Sequence, residues 1–244
     1  MDRAEFKRQA AAVVRANRRP VLLASFFLLL LTAVFSFLSA RLTLPSSEQL
    51  MRIGDLASSG KTAEALRLIN NFEPGFKESL MSEILSCLLI IVNFGFLLLL
   101  MGAVRGREVS PLMLLDGFGS WAKVLILELL VRTIVNLGFL LLFVPGIIAS
   151  YNYRMSSYLL LTHPDYGVLD CMRESRQRMR GHRLALFTLD LSFLGWAILA
   201  SLPLLGIPAA VYASPYWKCS CLLFFESLCR QEGELPPQEP PFPF

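Results

Sequence analysis

WAKVLILELLVRTIVNLGFLLLFVPGIIASYNYRMSSYLLL, residues 121–161, is the stretch that decides the fold. Its first part, 121–143, is an apolar run that carries Glu128, Arg132 and Asn136. A backbone amide in hydrocarbon must be satisfied within its own segment, so a run of this length predicts a helix. About 20 residues rising 1.5 Å each cross a hydrocarbon core of roughly 30 Å. Val144-Pro145-Gly146 then breaks the run, because proline lacks the amide and glycine tolerates turn angles. A shorter apolar run, 147–162, follows and contains Arg154. Two apolar helices around a tight break make a helical hairpin in a membrane.

The same reading extends in both directions. Residues 21–40 carry no charge and are too long for the apolar core of a cleavable signal, which is about 7–15 residues. Residues 81–104 are interrupted only by Glu83 and Asn93. Residues 184–202 hold Asp190, Pro203 with Gly206 and Pro208 make a second break, and 207–228 hold Pro215 and Lys218. The expected fold class is all-α, a polytopic helical membrane protein of about six spans with two tight hairpins. Composition agrees: 55% of the 244 residues are hydrophobic, 17% are charged and the mean hydropathy is +0.54. A soluble domain has about 45–50% apolar and about 25% charged residues. A disordered chain, a disulfide-stapled mini-protein and a typical cytosolic enzyme are excluded, and five cysteines form no disulfide framework.

Lys and Arg in the short connections set the orientation. Residues 1–20 hold Arg3, Lys7, Arg8, Arg15, Arg18 and Arg19, and the link after 81–104 has Arg105 and Arg107. The link 163–183 has Arg173, Arg176, Arg178, Arg180 and Arg183. The two hairpin breaks carry none, so both ends of the chain are expected in the cytoplasm. Residues 41–80 form an extracytoplasmic loop with helix starts at Ser46-Ser47 and Thr62, the second placing Leu66, Ile69 and Phe72 on one face. A small helical cap and a mobile loop are both compatible with it. Gly54 through Gly60-Lys61-Thr62 imitates a phosphate-binding loop, but the glycine spacing is one residue too long and no strand precedes it. Residues 229–244 are expected as a proline-rich cytoplasmic tail, an extended end that does not pack, although Pro237-Gln238-Glu239-Pro240 also has the spacing of a proline ligand.

Ionisable residues inside spans cost about 2.5–3.5 kcal/mol each at a helix centre, so they are the informative ones. Counted from the cytoplasmic end, Glu128, Asp190, Lys218 and Arg154 fall at about 10–12 Å, and Arg132 and Asn93 at about 16 Å. Glu128, Arg132 and Asn136 share a face at i, i+4 and i+8, and Asp190 is expected to pair with Lys218 beside Arg154. Asn93, Glu128, Arg132, Asn136, Arg154, Asp190 and Lys218 thus form a candidate polar layer in the inner half of the membrane, with one positive charge in excess. A spare cation suits an anionic headgroup or metabolite. A structural network that locks helix register, or an ion path, would use the same residues.

Arg173, Arg176, Arg180 and Arg183 recur at helical spacing and are candidate contacts for anionic lipid, at about 1 kcal/mol per cation. Orientation by the positive-inside rule alone is the simpler account of the same residues. Nucleic acid is not an expected partner, because no aromatic platform accompanies the arginines. The expected partners are the bilayer and, alternatively, another membrane protein. No catalytic constellation stands out: His163 and His182 lack zinc-protease spacing, and Cys219 and Cys221 lack a second pair. No metal, cofactor or enzymatic activity is expected.

Val144-Pro145-Gly146-Ile147-Ile148-Ala149, His163-Pro164-Asp165, Arg173-Glu174-Ser175, Met179-Arg180-Gly181-His182, residues 187–196 and Ser214-Pro215-Tyr216 together resemble a bacterial membrane family. It is the one catalogued as domain of unknown function 975, and the likeness runs from about Phe94 to Leu228. The resemblance implies a polytopic bacterial plasma-membrane protein with no established activity. It also implies a distant similarity to the membrane domain of glycerophosphodiester phosphodiesterases, whose catalytic domain has no counterpart here. Asp190 lies in the family's most recognisable stretch. The functional expectation is a non-enzymatic accessory or lipid-interacting factor. The alternatives are a transporter component for a small anionic or amphiphilic solute and an intramembrane enzyme of lipid metabolism.

Overall fold

The computed structural model describes residues 3–43, 47–70, 75–163, 165–202 and 206–231. The described residues are helical with no strand, in the order α1 (Arg3–Ala16), α2 (Arg18–Thr43), α3 (Ser47–Ser58), α4 (Thr62–Asn70) and α5 (Phe76–Val104). A 3-10 segment (Pro111–Ser120) follows, then α6 (Trp121–Leu141), α7 (Phe143–Tyr153), α8 (Ser156–Thr162) and α9 (Val168–Arg178). The chain finishes with α10 (Arg183–Leu191), α11 (Leu194–Ala200) and α12 (Gly206–Gln231). The all-α membrane architecture is therefore present. Arg18–Arg41, Phe76–Val104 and Pro111–Leu141 are each long and apolar enough to cross a bilayer. The pair α10–α11, bent by 41°, makes a fourth if it counts as one span.

Contacts divide the chain into two units, Leu30–Leu89 and the remainder. In the larger unit an apolar seam runs through Ala10, Val13, Val14, Val21, Ala24 and Leu28, all buried. This spacing gives α1 a core-facing stripe that packs on α12, with Phe6 edge-on to Phe224 at 5.9 Å. The basic N-terminal stretch is thus a docked helix. Pro215 inside α12 has no amide to give the carbonyl of Val211, and the buried Ser25 hydroxyl donates to that oxygen instead, at 2.9 Å. α5 ends where Gly106 adopts φ +68°, with its amide bonded to Ala103 and that of Arg107 to Gly102.

The first hairpin turns earlier than its proline suggests. Leu142 is extended (φ −164°, ψ 149°), and Pro145 and Gly146 lie in the first turn of α7, where a missing amide costs nothing. Gly138 and Gly146 let α6 and α7 approach: a Cβ on Gly138 would sit 2.9 Å from the Cα of Gly146. Residues 147–162 do not form one helix, because the chain turns at Arg154–Met155 between α7 and α8. At the second break, 203–205 lie outside the described residues, and Pro208 is in the first turn of α12. Of the expected tail 229–244, residues 229–231 continue α12, and 232–244 lie outside the described residues, as does Phe72.

In the smaller unit, α3 and α4 form a helical pair over part of the loop 41–80. α3 begins at Ser47, next to the expected start, and α4 begins at Thr62.

Candidate functional site

Asp190 is the centre of an ionic cluster. Arg154 Nη1 donates to its Oδ2 at 2.6 Å, and Tyr151 donates to the same oxygen at 3.0 Å. Trp217 Nε1 donates to Oδ1 at 2.8 Å, so both carboxylate oxygens are engaged. Three elements converge: α7 supplies Tyr151, the turn after it supplies Arg154, and α12 supplies Trp217. The guanidinium also lies 4.7 Å from the centroid of the Trp217 ring, so the cation is held by a carboxylate and a π-face together. The break after Tyr153 is what turns Arg154 back towards α10.

The expected Asp190–Lys218 pair is not formed. Trp217 and Lys218 are neighbours on α12, so their side chains leave the helix about 100° apart, and Trp217 takes the direction of α10. Lys218 points towards α5, where its Nζ donates to Asn93 Oδ1 at 3.2 Å and lies 4.8 Å from the Phe96 ring centroid. Among the described residues no carboxylate stands within ion-pair distance of Lys218.

Glu128, Arg132 and Asn136 do not join this cluster. Arg132 Nε donates to Glu128 Oε1 at 3.3 Å along α6, but the side chains are 52% and 36% exposed and Asn136 is exposed too. The buried face of α6 is set by Val124 and Leu127, and the polar stripe flanks it.

On α9 the arginines sort by face. Arg173 and Arg176 are exposed, as is Arg180 just beyond, whereas Cys171, Met172, Ser175 and Arg178 are buried. Arg183 is half-buried at the start of α10. Burial, with the Asp170 carboxylate beside it, pushes the Cys171 thiol up from its ordinary value.

A second ionic cluster escaped the sequence reading. Glu226, with its side chain 4% exposed, accepts from Arg105 at 3.4 Å and from Arg230 at 3.3 Å. Arg178 donates to Glu174 at 2.7 Å and to Cys229 Sγ at 3.0 Å. The available signal was the i, i+4 spacing of Glu174–Arg178 and Glu226–Arg230.

In the smaller unit, Phe35, Ser36, Ser39, Ala40, Leu85, Ser86 and Leu89 line a cavity of about 340 Å³. A hydrogen bond joins the Ser39 and Ser82 hydroxyls nearby. Among the described residues no group of three or more His, Cys, Asp or Glu converges on a point where a metal would sit.

A model of the family described as protein of unknown function DUF975 matches residues 1–232. The chain is also similar to the UPF0259 membrane protein SG1383 of Sodalis glossinidius (strain morsitans), at 30% identity over 164 residues. That match covers 62% of this chain and 64% of the relative. No solved structure matches.

Proposed function

The chain belongs to the DUF975 family, and from that premise we propose a non-enzymatic, polytopic plasma-membrane protein that gathers anionic lipid headgroups at the cytoplasmic leaflet. Both ends lie in the cytoplasm in this reading. The observation that carries it is the sorting of arginines on α9: Arg173, Arg176 and Arg180 stay exposed while the other side of the helix is buried. The Arg173–Asp170 contact, at 3.7 Å between exposed groups, takes little from this field. At about 1 kcal/mol per cation, the three arginines favour an anionic over a neutral leaflet by about 3 kcal/mol in all. The engagement of Asp190 on both oxygens supports a clamp rather than a proton-transfer role.

The test is lipid retention. Full-length protein in nanodiscs of mixed phosphatidylglycerol and phosphatidylcholine is compared with Arg173→Gln/Arg176→Gln/Arg180→Gln by mass spectrometry of the retained lipid. Loss of phosphatidylglycerol enrichment in the variant, and its weakening by salt, is the expected result. Equal enrichment in both proteins refutes the proposal.

Lys218 favours a second reading, a transporter component for a small anionic solute, because this half-buried cation is met by an amide and a ring rather than a carboxylate. That reading requires water at Lys218. With Cys87, Cys171 and Cys229 replaced, a membrane-impermeant thiol reagent should label Cys219 or Cys221 from the cytoplasmic side. Protection of both defeats it.

A further inference from the structure

Pro111–Leu141 is the most apolar stretch after α2 and α5, yet only 11% of its span-length window is buried. Its outer surface carries the Glu128–Arg132 pair and Asn136, together with Ile126, Leu129 and Leu137, which are 52%, 63% and 55% exposed. A charged pair facing lipid tails is costly, and the internal bond uses one of the five guanidinium N–H donors of Arg132. The remaining donors and the second carboxylate oxygen need partners.

Among the described residues, Glu128 and Arg132 pair only with each other. Residues 30–40 and 84–104 contain no acid or base at all. Asp190 is engaged by Arg154, and Lys218 by Asn93. An acid and a base one turn apart on an apolar helix are, in contrast, complementary to themselves. We propose that this face of α6 is the interface of a homodimer, in which two copies of the chain cross their Glu128–Arg132 pairs. A two-fold axis along the membrane normal brings both pairs to the same depth, so each Arg132 reaches the partner's carboxylate. Leu129, next round the helix from the pair, then closes over one edge of the four charges, and the packed Val124–Leu127 face of each chain bounds the other.

Charge complementation tests this in the full chain. Glu128→Arg places two cations on the face, and Arg132→Glu places two anions, so each variant loses its internal pair. A photo-crosslinking amino acid at Leu129 and two different affinity tags report association in native membranes. The unsubstituted face is expected to give a doubly tagged product at twice the 27.3 kDa chain mass. Either variant alone should lose at least nine-tenths of that product, and co-expression of the two should restore it. A crosslink that falls only within one chain, or only on another protein, overturns the proposal. So does a dimer that survives like charges or is not restored by mixing. If either variant fails to accumulate, native mass spectrometry of the unsubstituted protein decides, and a monomer overturns it.

Discussion

Asp190→Asn isolates what the charge at the centre of its ionic cluster contributes. Asparagine keeps the shape and one oxygen for Trp217 or Tyr151, but it removes the counter-charge of Arg154 at 2.6 Å. Breaking a buried pair from one side costs about 3–5 kcal/mol. The side chains here are 27% and 17% exposed, so solvent and snorkelling reduce the expected loss to about 2–3 kcal/mol. At about 1.4 kcal/mol per tenfold, that is roughly a 30- to 150-fold shift in the unfolding equilibrium. The assay is reversible unfolding in mixed lipid–detergent micelles, followed by tryptophan fluorescence, on a cycle of Asp190→Asn, Arg154→Met and the double variant. Arg154→Met should cost less than Asp190→Asn, because Tyr151 and Trp217 still donate to the carboxylate. The double variant should lose less than the sum of the single ones, by at least about 1 kcal/mol. Additivity within about 0.3 kcal/mol refutes the reasoning, since it would mean the two groups do not interact.

Glu226→Gln removes the counter-charge shared by Arg105 and Arg230, but these side chains are 30% and 29% exposed, so it should cost about 2–3 kcal/mol in the same assay, similar to Asp190→Asn. A loss below about 1 kcal/mol would contradict the pairing of Glu226 with both arginines. Gly95→Val drives a Cβ into the Leu114 carbonyl and should cost at least about 1–3 kcal/mol. Gly119→Ala, with open space at its Cβ, should leave the unfolding midpoint within about 0.5 kcal/mol of the parent. Cys171 is buried and its thiol pushed up, so site-resolved alkylation should run at least about tenfold slower in the folded than in the unfolded protein. The sign for stability follows. As pH rises, the thiol ionises first in the unfolded chain, so stability falls with pH there, and Cys171→Ser should flatten that slope.

The ionic cluster around Glu226 was hidden for a specific reason. Arg105, Arg178 and Arg230 look in sequence like cations at the cytoplasmic boundary, where the positive-inside rule already accounts for them. Glu174, four residues before Arg178, marks a local pair, but spacing does not say that the Arg178 side chain is 2% exposed while Arg180 is exposed. Only the packing of α9 on its neighbours distinguishes them. The polar stripe of α6 shows the converse. Its i, i+4, i+8 spacing correctly put Glu128, Arg132 and Asn136 on one side of the helix, but spacing does not say whether that side faces the core.

Composition and periodicity settle the solvent and the helical state of the long runs. A 55% hydrophobic chain with long charge-free runs must put those runs in lipid, and lipid permits them only as helices. The sequence also determined that charged groups in those runs would need partners. The tertiary structure decided which partners, and where the runs break. Asp190 meets Arg154 because α7 ends before Arg154 and because Trp217, not Lys218, leaves α12 towards α10. Periodicity fixes the angle between two side chains on one helix, whereas the rotation of that helix against its neighbours is set by the packing of the whole core.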